Sequence, residues 1–161
     1  MTTEATQGRF AGLGDLLARD LSTVEDLPVF VAPPPGVYKL MIEECKEKDL
    51  NEKRVLAVDY VVLEVIEIHD QGDAEEAAKI RMGKDKMSET FYFDKPDRIE
   101  TTLSVLKQKF GLLGATLGTT NLLEILDKMK GMTVRANLSR RKDKDDVTKF
   151  YPQTKTIVAE A

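Results

Sequence analysis

The chain has one cysteine, one histidine and no tryptophan in 161 residues. The single cysteine, Cys45, allows no intrachain disulfide, which points to a cytoplasmic protein. The single histidine, His69, excludes a two-histidine metal site. A Ser-His-Asp arrangement would have to use this residue, and beside Asp70 at a strand end it reads more simply as an exposed turn histidine. No apolar run approaches the ~20 residues of a membrane span. The segment Met1 to Gln7 has no basic stretch leading into an apolar core, so no signal peptide is expected. Phosphate-cradling glycine patterns are also missing: GxxxxGK[ST] does not occur, and Gly12-Leu13-Gly14 lacks both a third glycine and a preceding strand. No cofactor is expected.

One pattern has a catalytic counterpart. Glu44-Cys45-Lys46 is an E-x-K, which in metal-dependent nucleases follows an upstream aspartate and holds Mg²⁺ through oxygen ligands. Here the upstream Asp26 lies across a proline-rich connector, and a chain with 24 Lys and Arg and 28 Asp and Glu forms E-x-K easily by chance. No enzymatic activity is expected.

What is present is a soluble globular composition, 42% hydrophobic and 32% charged, enough for one domain with a terminal extension. The net charge of −4 argues against coating duplex DNA by charge alone. That charge is unevenly placed. Residues 1–36 hold two basic and five acidic side chains, whereas residues 131–161 hold seven basic and four acidic ones, beside Phe150 and Tyr151.

The clearest local pattern is a pair of long strands. From Gly36 to Cys45, Tyr38, Leu40 and Ile42 alternate with Lys39, Met41 and Glu43, and Arg54 to Ile68 is rich in β-branched residues. The charged stretch from Lys46 to Lys53 reads as the loop between them. Residues 69–86 read as a long mobile loop with a helical turn at Ala74 to Lys79. A third strand, Met87 to Phe93, sets Phe91 and Phe93 on one face and Thr90 and Tyr92 on the other. Asp97-x-x-Glu100 predicts a capping box opening a helix that runs to Phe110 and stops at Gly111. Asn121-x-x-Glu124 opens a second helix ending at Lys130, with Gly131 as its stop. A fourth strand, Met132 to Ser139, points Arg135 and Asn137 outward, followed by a charged turn over Arg140 to Asp146. The fifth begins at Thr148, with Phe150 facing the core and Lys149 and Tyr151 on the other side. It is interrupted at Pro152, which places it at an edge or bulge.

Three strands, helices and two strands is the order of an OB-fold, a five-stranded partly open Greek-key barrel, and a different small α+β barrel shares it. The expected fold is mainly β: an OB-fold-like barrel with a helical insertion over residues 33–161, plus an N-terminal helical extension over 1–32. In the extension, residues 1–7 are expected to be disordered. Phe10, Leu13, Leu17 and Leu21 share one face of a short amphipathic helix over 9–21, which either packs on its own domain or docks on another subunit or partner. Pro28 and Pro33 to Pro35 stiffen the connector, and Val29 to Val31 is a candidate edge strand.

Basic and aromatic residues interleave along the strands. A single-strand binder needs a positive groove for the phosphates and flat side chains on which bases stack. Most strand aromatics fill cores, so Tyr38, Tyr60, Phe91, Phe93 and Phe150 serve as well as packing. The residues expected to contact nucleic acid are Lys39, Arg54, Lys86, Tyr92, Arg135, Arg140, Arg141, Lys142, Lys149 and Tyr151. They centre on the outward face of the fourth and fifth strands, with Lys79, Arg81 and Lys84 of the 69–86 loop as the next place to look.

Several features together resemble the phage-encoded single-stranded-DNA-binding proteins of OB-fold type. They are Pro35-Gly36-Val37-Tyr38 entering a strand, the long second strand, the aromatic Phe91-Tyr92-Phe93, and Leu126 to Gly131 feeding Thr133-Val134-Arg135. The likeness spans about residues 33–158. It implies sequence-independent binding and protection of single-stranded DNA in phage replication or recombination, in the host cytoplasm, with phage or host replication proteins as partners. Such proteins recruit partners through an acidic C-terminal tail. Here the last six residues carry one acid, Glu160, and the acidic segment is N-terminal. The alternative is a non-enzymatic phage assembly or adaptor protein acting through protein–protein contacts. A homo-oligomer through the N-terminal helix fits either reading.

Overall fold

The computed structural model describes Arg9 and residues 11–160. The disorder expected for residues 1–7, and the place of Phe10 on the helix, lie outside the described residues. Of the helix expected over 9–21, Arg9 is helical and a turn, α1 (Gly14–Leu17), is followed by a 3-10 turn at Leu21–Thr23. Leu13, Leu17 and Leu21 are 56%, 61% and 84% exposed, so this stripe does not pack on the rest of the chain.

Five strands form one antiparallel sheet: β1 (Gly36–Leu50), β2 (Lys53–Ile68), β3 (Lys86–Tyr92), β4 (Thr133–Lys142) and β5 (Phe150–Ala159), in the order β3-β2-β1-β4-β5. The expected loop from Lys46 to Lys53 is instead a continuation of the β1–β2 hairpin. Only Asn51 and Glu52 turn, both at positive φ (52° and 66°), the left-handed pair that matches the twist of the flanking strands. Residues 46–50 are exposed, so the ladder extends there without burying charge. The charged turn expected over Arg140 to Asp146 is likewise shorter, because β4 runs on to Lys142. β5 is continuous through Pro152, which lies on the last strand of the sheet order, where no further ladder needs its missing N–H.

One face of the sheet carries the core. Tyr38, Leu40, Ile42, Val58, Tyr60, Val62, Met87, Val134, Leu138 and Ile157 are buried against Leu106, Phe110 and Leu113 of helix α3 (Ile99–Leu117). Before it comes the short helix α2 (Ala74–Ala78), and after it α4 (Leu122–Lys128). The segment read as a mobile loop is a 3-10 turn plus α2, with Ala77 and Ile80 buried. Helix α3 runs past Gly111, the expected stop, and ends at Gly118 (φ 77°), because Gly111 sits on an exposed face that tolerates glycine. The capping box at Asp97 is not formed. Pro96 opens a 3-10 turn instead, and the N-cap is Arg98, with no side-chain bond. Asn121 does cap α4, accepting from the Glu124 N–H at 3.1 Å. Among the described residues no helix is long and apolar enough to cross a membrane.

The connector is part of the fold. Val31 N–H donates to Lys86 O at 2.8 Å and Lys86 N–H to Val29 O at 3.0 Å, a parallel bridge on the free side of β3. Asp85, buried, accepts from Val29 N–H at 3.3 Å and from Arg81 Nε at 2.9 Å, and that guanidinium holds its carboxyl below the usual aspartate value. The Tyr38 hydroxyl donates to Pro34 O at 2.5 Å, and burial pushes its pKa up to about 12.

A polar cluster sits inside the core. Glu89 of β3 accepts from Lys109 Nζ (2.9 Å), Tyr60 OH (3.0 Å), Thr154 Oγ1 (2.6 Å) and Thr154 N–H (3.2 Å). Lys109 also donates to the Thr154 carbonyl, and the Glu89 and Lys109 side chains are each 5% exposed. β3, β5, β2 and α3 thus meet on one ion pair. Lys109→Met would leave Glu89 buried without a counter-ion. It is expected to cost about 3–5 kcal/mol in urea unfolding, and adding Glu89→Gln should recover part of the loss by removing the charge. At Gly114 a Cβ would lie 2.6 Å from Thr119 O and from Ile125 Cδ1, whereas at Gly111 it would meet only the Lys107 Cγ methylene, at 4.0 Å. Gly111→Ala should therefore stabilise by about 0.5–1 kcal/mol and Gly114→Ala should lower the Tm.

Candidate functional site

The β4–β5 hairpin ends in a basic and aromatic cluster. Register pairs Arg141 with Tyr151 and Lys142 with Phe150. The Arg141 guanidinium carbon lies 5.7 Å from the Tyr151 ring centroid, and that of Arg140 lies 5.4 Å from the Phe150 centroid, both within cation–π range. Tyr151 is 44% exposed. Phe150, expected in the core, is 38% exposed, because the core ends before this part of β5.

Between the strands, residues 143–149 form a turn organised by carboxylates. Asp143 Oδ1 accepts from the N–H groups of Asp145 (2.8 Å) and Asp146 (3.1 Å), and Oδ2 accepts from Tyr151 OH (2.6 Å). These bonds hold the Asp143 carboxyl below its ordinary value, the Tyr151 contact contributing most. The same contact raises the Tyr151 hydroxyl, and Tyr92 on β3 lies near enough to add to that shift. Tyr92 is itself 44% exposed, so strands β3 and β5 each present an exposed tyrosine.

The expected binding residues divide by what holds them. Arg141, Lys142 and Lys149 lie with Tyr151 at the end of the β4–β5 hairpin, and these three cations take part in no ion pair among the described residues. Lys39 also has no ion pair, but it stands beside Arg135 on the outward face, and Arg135 is six residues, about 20 Å, along β4 from Arg141. Arg135 is held by Glu160 through two bonds of 3.1 Å, Lys86 by Glu43 at 2.8 Å, and Arg54 by Glu47 at 3.2 Å. Arg140 bonds the carbonyls of Ala32 and Pro33 and the carboxylate of Glu76, so its charge is spent closing the connector and α2 onto β4. In the alternative 69–86 region, Arg81 is tied to Asp85 and to Leu27 O, and Lys84 lies 3.8 Å from Glu25.

One cation was not among those expected. The ladder sets Lys48 opposite Val55 and Val55 opposite Tyr92, so all three share a face, and Lys48 has no ion pair among the described residues. Reading Lys46 to Lys53 as loop hid it. The cue was Asn51, a residue favoured at the first position of a two-residue hairpin turn.

Two other places carry less chemistry. Glu44 and Lys46 of the E-x-K pair with each other at 3.5 Å. Among the described residues no three His, Cys, Asp or Glu side chains are arranged to hold a metal ion. A groove of about 360 Å³ lies between the hairpin and the helices, lined by Cys45, Leu56, Phe93, Leu106, Leu122 and Leu126. Burial pushes the Cys45 thiol up to about 11, with Asp59 and Glu44 adding to the shift, so at neutral pH it is not a nucleophile.

The two neighbouring arginines should separate cleanly. Arg140→Ala, which strands two carbonyls and Glu76, is expected to cost about 2–3 kcal/mol in chemical unfolding. Arg141→Ala should stay within about 0.5 kcal/mol of the native chain. No protein-family model matches this chain, and no curated protein matches it.

Proposed function

We propose that the protein binds single-stranded DNA without sequence preference, through the exposed cluster of Tyr92, Tyr151, Arg141, Lys142 and Lys149, extended by Lys48 along the β1–β2 hairpin. The observation that carries this reading is an exposed tyrosine, Tyr151, beside cations free of ion pairs, with a second exposed tyrosine, Tyr92, on β3, in a chain whose net charge is −4. Stacking tolerates every base because each has a π-face, and the cations supply the phosphate term. The sheet order supports an OB-fold barrel closed between β3 and β5, since Thr154 and Glu89 already bond across that seam. In such a barrel the faces of strands two and three and the flanking loops bind oligonucleotides, which agrees with Tyr92 and the two hairpins. Protection of single strands during phage replication or recombination is the role that the family resemblance suggests.

The adaptor reading keeps one specific observation on its side. Leu16, Leu17, Leu21 and Leu27 are 61–85% exposed in the segment before the sheet, a stripe suited to a partner or a second copy.

Fluorescence titration with dT oligomers at two salt concentrations tests the first reading. Tyr151→Ala should lose about 1–3 kcal/mol, the worth of one stacked base, with little change in salt dependence. Arg141→Ala should flatten the plot of log K against log salt by ~0.7 for each phosphate contact removed. Native protein that fails to bind dT oligomers even at low salt would overturn the proposal and favour the adaptor.

A further inference from the structure

Tyr151 sits on the last strand of the sheet, exposed, next to the 143–149 hairpin turn. A ring in that position ordinarily rotates about two torsions, and ordering it on binding weakens affinity. Here the ring is anchored at its tip. Its hydroxyl donates to Asp143 Oδ2 at 2.6 Å, and Asp143 is itself held: Oδ1 accepts from Asp145 N–H (2.8 Å) and Asp146 N–H (3.1 Å), and its own N–H donates to Lys149 O at 3.1 Å. Asp146 continues the brace, accepting from Thr148 N–H at 3.0 Å, while its carbonyl accepts from Lys149 N–H at 3.1 Å. By charge alone, a carboxylate beside Arg141 and Lys149 opposes a phosphate backbone. Its geometry gives it another use.

We propose that Asp143 is a positioning residue for Tyr151: braced by the loop backbone on one oxygen, it takes the phenol hydroxyl on the other and holds the ring ready for a nucleobase to stack. This rests on the single-strand-binding reading above and adds to it a part played by an acidic residue that touches no ligand. The loop between β4 and β5 is then a fixture that presents the tyrosine, and Arg141 covers part of the ring from the neighbouring strand.

The test is a double-mutant cycle on the full chain, read as dT-oligomer affinity at low and high salt. Tyr151→Phe keeps the ring and removes only the anchored hydroxyl. It should weaken binding about two- to tenfold in the native chain, the range for one hydrogen bond, with unchanged salt dependence. In an Asp143→Ala chain the same Tyr151→Phe change should have no effect, because the anchor is already gone. Asp143→Ala also removes a negative charge, which by itself tightens binding, but that effect is present in both members of the second comparison and cancels. Tyr151→Phe binding like the native chain, or weakening both backgrounds equally, overturns the positioning role. Tyr151→Ala keeps the two levels apart. If it weakens binding while Tyr151→Phe does not, stacking stands and only the positioning is lost. If it too has no effect, the binding site itself is elsewhere.

Discussion

The ion pair between Glu89 and Lys109 is the constraint around which the rest of the structure is arranged. A carboxylate and an ammonium out of water each cost several kcal/mol unless they meet and every remaining donor and acceptor is used. Here Tyr60 and Thr154 complete the set, so one buried ion pair bonds strands β2, β3 and β5 to helix α3. Sliding β3 by one residue would turn Glu89 to solvent and strand Lys109 in the core. The pair also links core to surface: Glu89 ties the strand bearing Tyr92 to Thr154 on the strand bearing Tyr151, and the two tyrosines lie on the exposed parts of those same strands.

The remaining charges divide between closing the molecule and staying available. Arg140 and the Arg81–Asp85 pair clamp the connector across the end of the sheet, using carbonyls of residues 27, 32 and 33 as acceptors. Arg135, Lys86 and Arg54 are matched by nearby carboxylates. After these pairings, Arg141, Lys142 and Lys149 remain without an ion pair among the described residues where the β4–β5 hairpin leaves the core, at the turn that also carries Asp143, Asp145 and Asp146. In an acidic protein that distribution matters more than the total, because screening at physiological salt limits each charge's reach to about 8 Å.

Charge is a poor loop signal in Lys46 to Lys53 and in Arg140 to Lys142: apart from the Asn51–Glu52 turn, both stretches are strands projecting beyond the core, where neither face needs to be apolar. Glycine is not a helix stop at Gly111, because a single exposed glycine costs a long helix only about 1 kcal/mol. The stop came at Gly118, where the chain must turn left-handed to bring Ile125 against Gly114. Phe150 was placed inside by alternation alone, which says which residues share a face but not where along a strand the core ends.

What the sequence determined by itself was the element types, their order, the inward rows Tyr38-Leu40-Ile42 and Val134-Ala136-Leu138, the Asn121 cap and the basic surplus near the end of the chain. These depend on periodicity and local bonding, which act over a few residues. Only the tertiary structure decided which cations are free. Arg140 and Arg141 are adjacent and chemically identical, yet one is locked to carbonyls 107 and 108 residues away and to Glu76, while the other lies over a tyrosine with no carboxylate partner. Pairing of that kind depends on contacts between distant segments, and no local pattern in the sequence encodes it.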